Sequence, residues 1–235
     1  MISSPPAEDD GYDQLSDSDD ALRVRDSQTE LTIVPADADL AAVIAGTAAH
    51  DPEQALQFVK TLTSVREVVG EVAKPQPLSE CMLMPGEPAD LDLVVVGCWD
   101  GVIHVSDPGL ASDLADFAET EVLHQRRLRP RARVVSKVFL DMVADFAEVI
   151  ISVPGMEPVR EFNDSEETRV EGDLPALLQA LGIDKNPELD FQDLERHARG
   201  VASFDDGPEM LLASTFHVRR PEDTVYGMED VWLRQ

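Results

Sequence analysis

The sequence predicts an α+β protein in which an antiparallel sheet, built around a central hairpin, packs against helices behind a disordered acidic N-terminal tail. Three observations predict it. Leu91-Asp92-Leu93-Val94-Val95-Val96-Gly97-Cys98-Trp99 is the strongest strand pattern in the chain, and Asp100-Gly101 followed by Val102-Ile103-His104-Val105 reads as a turn and return strand. Apolar stripes at helical spacing, with capping residues ahead of them, stand on both sides of that hairpin. Hydrophobic residues make up 43% of 235 positions, enough for a real core, and no segment repeats at a fixed period.

Residues 1–30 hold nine acids, two arginines and almost no large apolar groups, too little hydrophobic surface to offset the entropy of ordering them. Asp17-Ser18-Asp19-Asp20 lacks the spaced acids, central Gly and distal Glu of a calcium-binding EF-hand loop. After the apolar run Leu31-Thr32-Ile33-Val34, helices are expected over 39–48 and 51–70. In the second, Asp51 caps, Pro52 takes the first helical position, Gln54 completes a capping box, and Phe58, Leu62, Val65 and Val69 form one stripe. Pro75, Pro77, Pro85 and Pro88 make 74–90 a connection with at most a short edge strand near Cys81–Met84.

Beyond the hairpin, Asp107 and Pro108 open a helix whose buried stripe is Leu110, Leu114 and Phe117, continued by Ala118 and Val122. The segment 132–153 supports two readings, a strand from Ala132-Arg133-Val134-Val135 or a helical stripe through Val138, Met142, Phe146 and Val149. The last third carries turn signals at Asn163-Asp164, Gly172, Gly182 and Asp206-Gly207-Pro208. Helices are expected at 174–181 and 186–198, the latter capped by Asn186, with a strand from Met210 to Val218. The expected organisation is a tail (1–30), an α+β domain (31–160) and a C-terminal α+β extension packed on it (161–235).

Forty-seven acids against 19 Lys and Arg give a formal charge of −28, which repels phosphate backbones and anionic membranes. Nucleic acid and membrane are therefore not expected partners. The basic residues are mostly Arg, which forks onto carboxylates and suits internal counterion duty. Only 5% of residues are aromatic, against a base-stacking platform. The N-terminus lacks the features of a signal peptide and no run approaches the ~20 apolar residues of a membrane span. Cys81 and Cys98 form no CxxC, so a cytoplasmic protein with reduced thiols is expected.

Phosphate-binding glycine loops, a GxSxG elbow and HExxH are all absent, and the histidines at 50, 104, 124, 197 and 217 show no ligand spacing. No catalytic residue, metal or cofactor is expected. One segment opposes the global charge: Arg126, Arg127, Arg129, Arg131 and Arg133 lie within eight positions after a helix. They complement a helix dipole and nearby acids, or they dock an acidic peptide, either a partner's or the chain's own first thirty residues. Trp99, at the end of the strong strand, packs on the following helix or, if exposed, forms a binding hot spot.

The segment Leu91–Val135 resembles the YbjN family, whose fold is similar to the small peptide-binding chaperones of type III secretion. The residues that carry the resemblance are the strand ending in tryptophan (Val94–Trp99), the return Gly101-Val102-Ile103, the helix with Leu114 and Phe117, and Arg127-Leu128-Arg129-Pro130 leading into Ala132-Arg133-Val134-Val135. The resemblance implies an α+β domain that binds peptides or partner proteins and has no catalytic residues. The expected function is a non-enzymatic, protein- or peptide-binding adaptor or chaperone-like protein, with Trp99 and the five arginines as its contacts. Two alternatives are a hydrolase-type enzyme assembled from dispersed carboxylates with His104 or His124, and an acidic inhibitor that mimics nucleic acid. Oligomeric state is not readable.

Overall fold

The computed structural model describes residues 28–81, 83, 85, 87–111, 117–140, 146–163, 168–183, 191–200 and 211–232. Its strands in chain order are β1 (Gln28–Pro35), β2 (Glu67–Glu71), β3 (Gln76–Pro77), β4 (Leu93–Trp99) and β5 (Val102–Ser106), then β6 (Ala132–Leu140), β7 (Phe146–Ser152), β8 (Val159–Asn163), β9 (Thr168–Glu171) and β10 (Leu212–Arg219). The helices are α1 (Leu40–Ile44), α2 (Pro52–Val59), α3 (Leu78–Cys81), α4 (Phe117–Leu128), α5 (Leu174–Ala180), α6 (Phe191–Arg199) and α7 (Glu222–Trp232). None of these is long and apolar enough to cross a membrane.

The fold is α+β, and every strand pairing is antiparallel. One sheet runs β2-β10-β4-β5-β1-β6-β7-β8-β9, with β3 beside β10. β4 and β5 form the expected central hairpin. Its two-residue turn places Asp100 at φ 47° and Gly101 at φ 83°, the left-handed pair that matches strand twist.

Antiparallel register sorts the side chains onto two faces. The first carries Leu31, Ile33, Val94, Val96, Ile103 and Val105, covered by Ala55, Phe58 and Val59 of α2, Ala118 and Val122 of α4, and Met228, Val231 and Trp232 of α7. The second carries two apolar clusters. Val95, Trp99 and Val102 pack with Val43 of α1 and Leu78 of α3, while Val135, Val149 and Ile151 pack with Leu177 of α5 and Phe191, Leu194 and Ala198 of α6. Between them, at mid-sheet, the same face carries Glu30, Thr32, His104 and Ser106, all buried.

Several expectations change. β1 begins at Gln28, and Thr29 and Glu30 are buried, so the tail cannot extend to residue 30; residues 1–27 lie outside the described residues. The helix expected over 51–70 keeps its Asp51 cap, whose Oδ1 accepts from Gln54 N at 2.9 Å, but ends at Val59. Thr61 Oγ1 donates to Phe58 O at 2.8 Å, and the β-branched residues that follow enter edge strand β2 instead. The edge strand near Cys81–Met84 is replaced by β3 and α3, with Met82 and Met84 outside the described residues.

Asp107 does cap, accepting from Gly109 N at 2.8 Å, but only the 3-10 turn Pro108–Ala111 follows directly, and α4 begins at Phe117; Leu114 lies outside the described residues. Over 132–153 the strand reading holds and the helical stripe fails: β6 and β7 pair from Val134↔Ser152 to Leu140↔Phe146. Met142, Asn186 and Met210 lie outside the described residues. The boundary at 160/161 falls inside β8, and β10 sits between β2 and β4, so the C-terminal segment completes the same sheet.

Candidate functional site

Where the β4–β5 turn meets the ends of β1 and β6, the first face opens into a groove of about 520 Å³. Ile33 of β1, Ile103 of β5 and Phe58 of α2, all buried, form its floor, and Pro35, Ala36 and Pro130 give its accessible apolar surface. Gln54, Gln57 and Thr61 supply neutral polar groups, and Arg129, Pro130 and Arg131 close the side formed by the α4–β6 connection. Asp37 is the one acid in this lining.

The five arginines are dealt out to different places. Arg126 pairs with Glu157 at 3.0 Å on the surface. Arg127 and Arg131 are exposed. Arg129 stacks its guanidinium 4.8 Å from the centroid of the Phe58 ring and donates to Gln125 Oε1. Arg133, one position out of phase along β6, turns to the second face, beside Gly200 at the end of α6. Among the described residues only Arg126 of the five has a carboxylate partner. Burial pulls the pKa of Arg129 and Arg133 down; at Arg129 the nearby Glu121 offsets part of that, whereas at Arg133 burial acts alone.

Trp99 is fully buried on the second face; Nε1 donates to Leu212 O at 2.9 Å. The expectation of an exposed hot spot is corrected: as folded, the indole offers no surface to a partner. The reason is local, since Gly97 two positions earlier leaves the space the ring fills.

Of the histidines weighed for catalysis, His104 is wholly buried, 3.1 Å from Thr32 Oγ1, and burial draws its pKa down to about 4 against partial relief from Glu30. Nearby, Arg199 is gripped by Glu30 at 2.6 Å and by Glu195 at 2.5 Å. His124 sits half-buried on α4, and neither imidazole lines the groove. A neutral buried imidazole makes stability acid-sensitive. The unfolded chain protonates near 6.5 and the folded one near 4, so stability is complete above 6.5 and declines as pH falls between the two, by roughly 3 kcal/mol in all. Urea unfolding from pH 7 to 4.5 should show that decline, and His104→Gln should flatten it.

Sequence reading missed one constellation. His50 Nδ1 accepts from Cys98 N at 3.2 Å, so its proton sits on Nε2, 3.1 Å from Ser214 Oγ, and Ser214 in turn donates to Glu71 Oε1 at 2.7 Å. Serine, histidine and carboxylate meet, but in an order unsuited to nucleophilic catalysis. The imidazole donates to the serine and cannot take its proton, and the carboxylate touches serine where a triad needs it on histidine. No local signal marks a pair 164 positions apart.

Among the described residues no group of three or more His, Cys, Asp or Glu is placed to hold a metal ion. Comparison with curated proteins and with solved structures finds no match. Residues 14–235 match a family of unknown function, and the chain belongs to that family, DUF6333.

Proposed function

We propose that this chain is a non-enzymatic protein- or peptide-binding module that takes an acidic peptide in the groove between α2 and the Arg129–Arg131 connection. The observation that carries this reading is the set of guanidinium groups that make no ion pair among the described residues, in a chain of net charge −28. Acids are abundant, yet among the described residues none pairs with Arg127, Arg129, Arg131 or Arg133, and only Arg129 has one close enough, Glu121, to offset part of its burial. Two of these arginines border the groove, so a ligand that lays an apolar side chain over Pro35, Ala36 and Pro130 and offers a carboxylate to Arg129 or Arg131 gains burial and charge-assisted hydrogen bonds together. The resemblance of 91–135 to the YbjN family, whose fold is similar to the small peptide-binding chaperones of type III secretion, supports an adaptor or chaperone-like role. Net negative charge favours protein over nucleic acid as partner, and two free thiols, Cys98 raised by burial to about 12, suit a reducing cytoplasm.

A fluorescein-labelled peptide alternating Glu and Leu, titrated by anisotropy, tests this directly. Binding should exceed that of the Gln/Leu counterpart, weaken with salt, and fall at least tenfold in Arg129→Ala/Arg131→Ala. Equal affinity for the Glu and Gln peptides would overturn the proposal. Arg131→Glu, at an exposed position, gives the same readout without disturbing the Phe58 stack.

A further inference from the structure

The groove's occupant can be argued from this chain itself. Resting on the reading above, we propose that the acidic segment Tyr12–Asp20 is the groove's own ligand, docking in the absence of a partner so that partners must displace it.

Charge complementarity is the first argument. Residues 1–27 carry eight acids and two arginines, and the acids cluster where the arginines are absent: Asp13, Asp17, Asp19 and Asp20 follow Glu8-Asp9-Asp10. The groove side presents Arg129 and Arg131, with Arg127 nearby on α4; among the described residues none of the three is in an ion pair, and only Arg129 feels a nearby carboxylate, Glu121. Within this surplus of acids, a segment that is both anionic and tethered is the cheapest counterion to recruit, because its encounter with the groove is intramolecular.

Apolar anchoring is the second. Tyr12 and Leu15 are large groups set among the acids, matching the apolar surface that Pro35, Ala36 and Pro130 leave open in the groove, while their flanking carboxylates match the arginine side. Gln54 and Gln57 add donors and acceptors for an extended backbone without adding charge.

Reach is the third. Tyr12–Asp20 joins the described structure at Gln28, the far end of β1, and the groove lies at the near end, beside Pro35. Eight residues of strand cover roughly 25 Å. The 13 residues from Leu15 to Gln28 span up to about 45 Å when extended. The segment can therefore run back along the molecule and still have slack, and its effective concentration at the groove is of order millimolar.

The test uses full-length protein throughout, with a fluorescein-labelled synthetic peptide copying residues 8–20 as probe. In wild type the tethered copy competes, so the free peptide should bind at least tenfold more weakly than it binds Tyr12→Ala/Leu15→Ala, and Arg131→Glu should abolish binding to both. Equal affinity for wild type and the Tyr12→Ala/Leu15→Ala chain, with sensitivity to Arg131→Glu retained, would overturn self-occupancy while leaving the acidic-peptide groove standing. Binding indifferent to Arg131→Glu, or no binding to either chain, would overturn both.

Discussion

An Arg220→Met chain is expected to unfold with about 3–5 kcal/mol less free energy than wild type, the cost of stranding a buried carboxylate. Arg220 and Asp107 are both without side-chain exposure and meet at 2.9 Å. Asp107 also receives Ser64 Oγ and Gly109 N, and Arg220 donates from Nε to Leu91 O and from Nη2 to Leu93 O at 2.9 Å. The pair therefore fastens the segment after α2, the start of β4, the end of β5 and the end of β10 at one point. Removing the guanidinium leaves Asp107 with two hydrogen bonds but no opposing charge, and takes from the Leu91, Leu93 and Ser64 carbonyls the donors that Arg220 gives them.

Removing both charges should hurt less. Asp107→Asn/Arg220→Met is expected to recover a sizeable part of the single-variant loss, because most of that loss is the isolated ion and not the absent attraction. Denaturant unfolding with unchanged m-value measures both. A double variant no better than Arg220→Met would mean that the carbonyl contacts, and not the charge pair, hold this corner.

The parts of this architecture that were legible in the sequence share one property: their cause is local. The hairpin follows from alternation and from a dipeptide that tolerates positive φ, and the start of α2 follows from an aspartate whose carboxylate reaches an amide three residues on. What was missed depends on distant residues. Gln28-Thr29-Glu30 reads as tail until Arg199, 169 positions later, arrives to neutralise Glu30 inside the sheet. β6 and β7 hid their period because both faces of each are covered, which removes the polar alternation that marks a half-exposed strand. β8, β9 and α7 were not read at all. The arginine cluster was visible as composition, but its division was not. Strand alternation sends Arg133 to the face opposite the groove, the exposed end of α4 gives Arg126 to Glu157, and only Arg129 and Arg131 reach the groove.

Trp99 gives the second large effect, and its neighbour makes the test sharp. A Cβ at Gly97 would lie 2.0 Å from Trp99 Cη2 and 2.2 Å from Cζ2, well inside contact distance. Positions 97 and 99 share the second face, two apart on β4, so the benzo edge of the indole fills the space a side chain at 97 would need. Trp99→Ala should cost about 3–5 kcal/mol through the cavity it leaves among Val43, Leu78, Val95 and Val102. Gly97→Ala would ordinarily help a strand by about 0.5–1 kcal/mol. Here it must instead push a buried ring out of place, so a loss of about 1–3 kcal/mol is expected. In a Trp99→Leu background the obstruction is gone, and the same Gly97→Ala change should be neutral or stabilising. That reversal of sign within one mutant cycle distinguishes ring packing from a general intolerance of strand substitution. If Gly97→Ala were harmless in the wild-type chain, the ring would not lie over β4, and Trp99 would again be free to serve as a contact for partners.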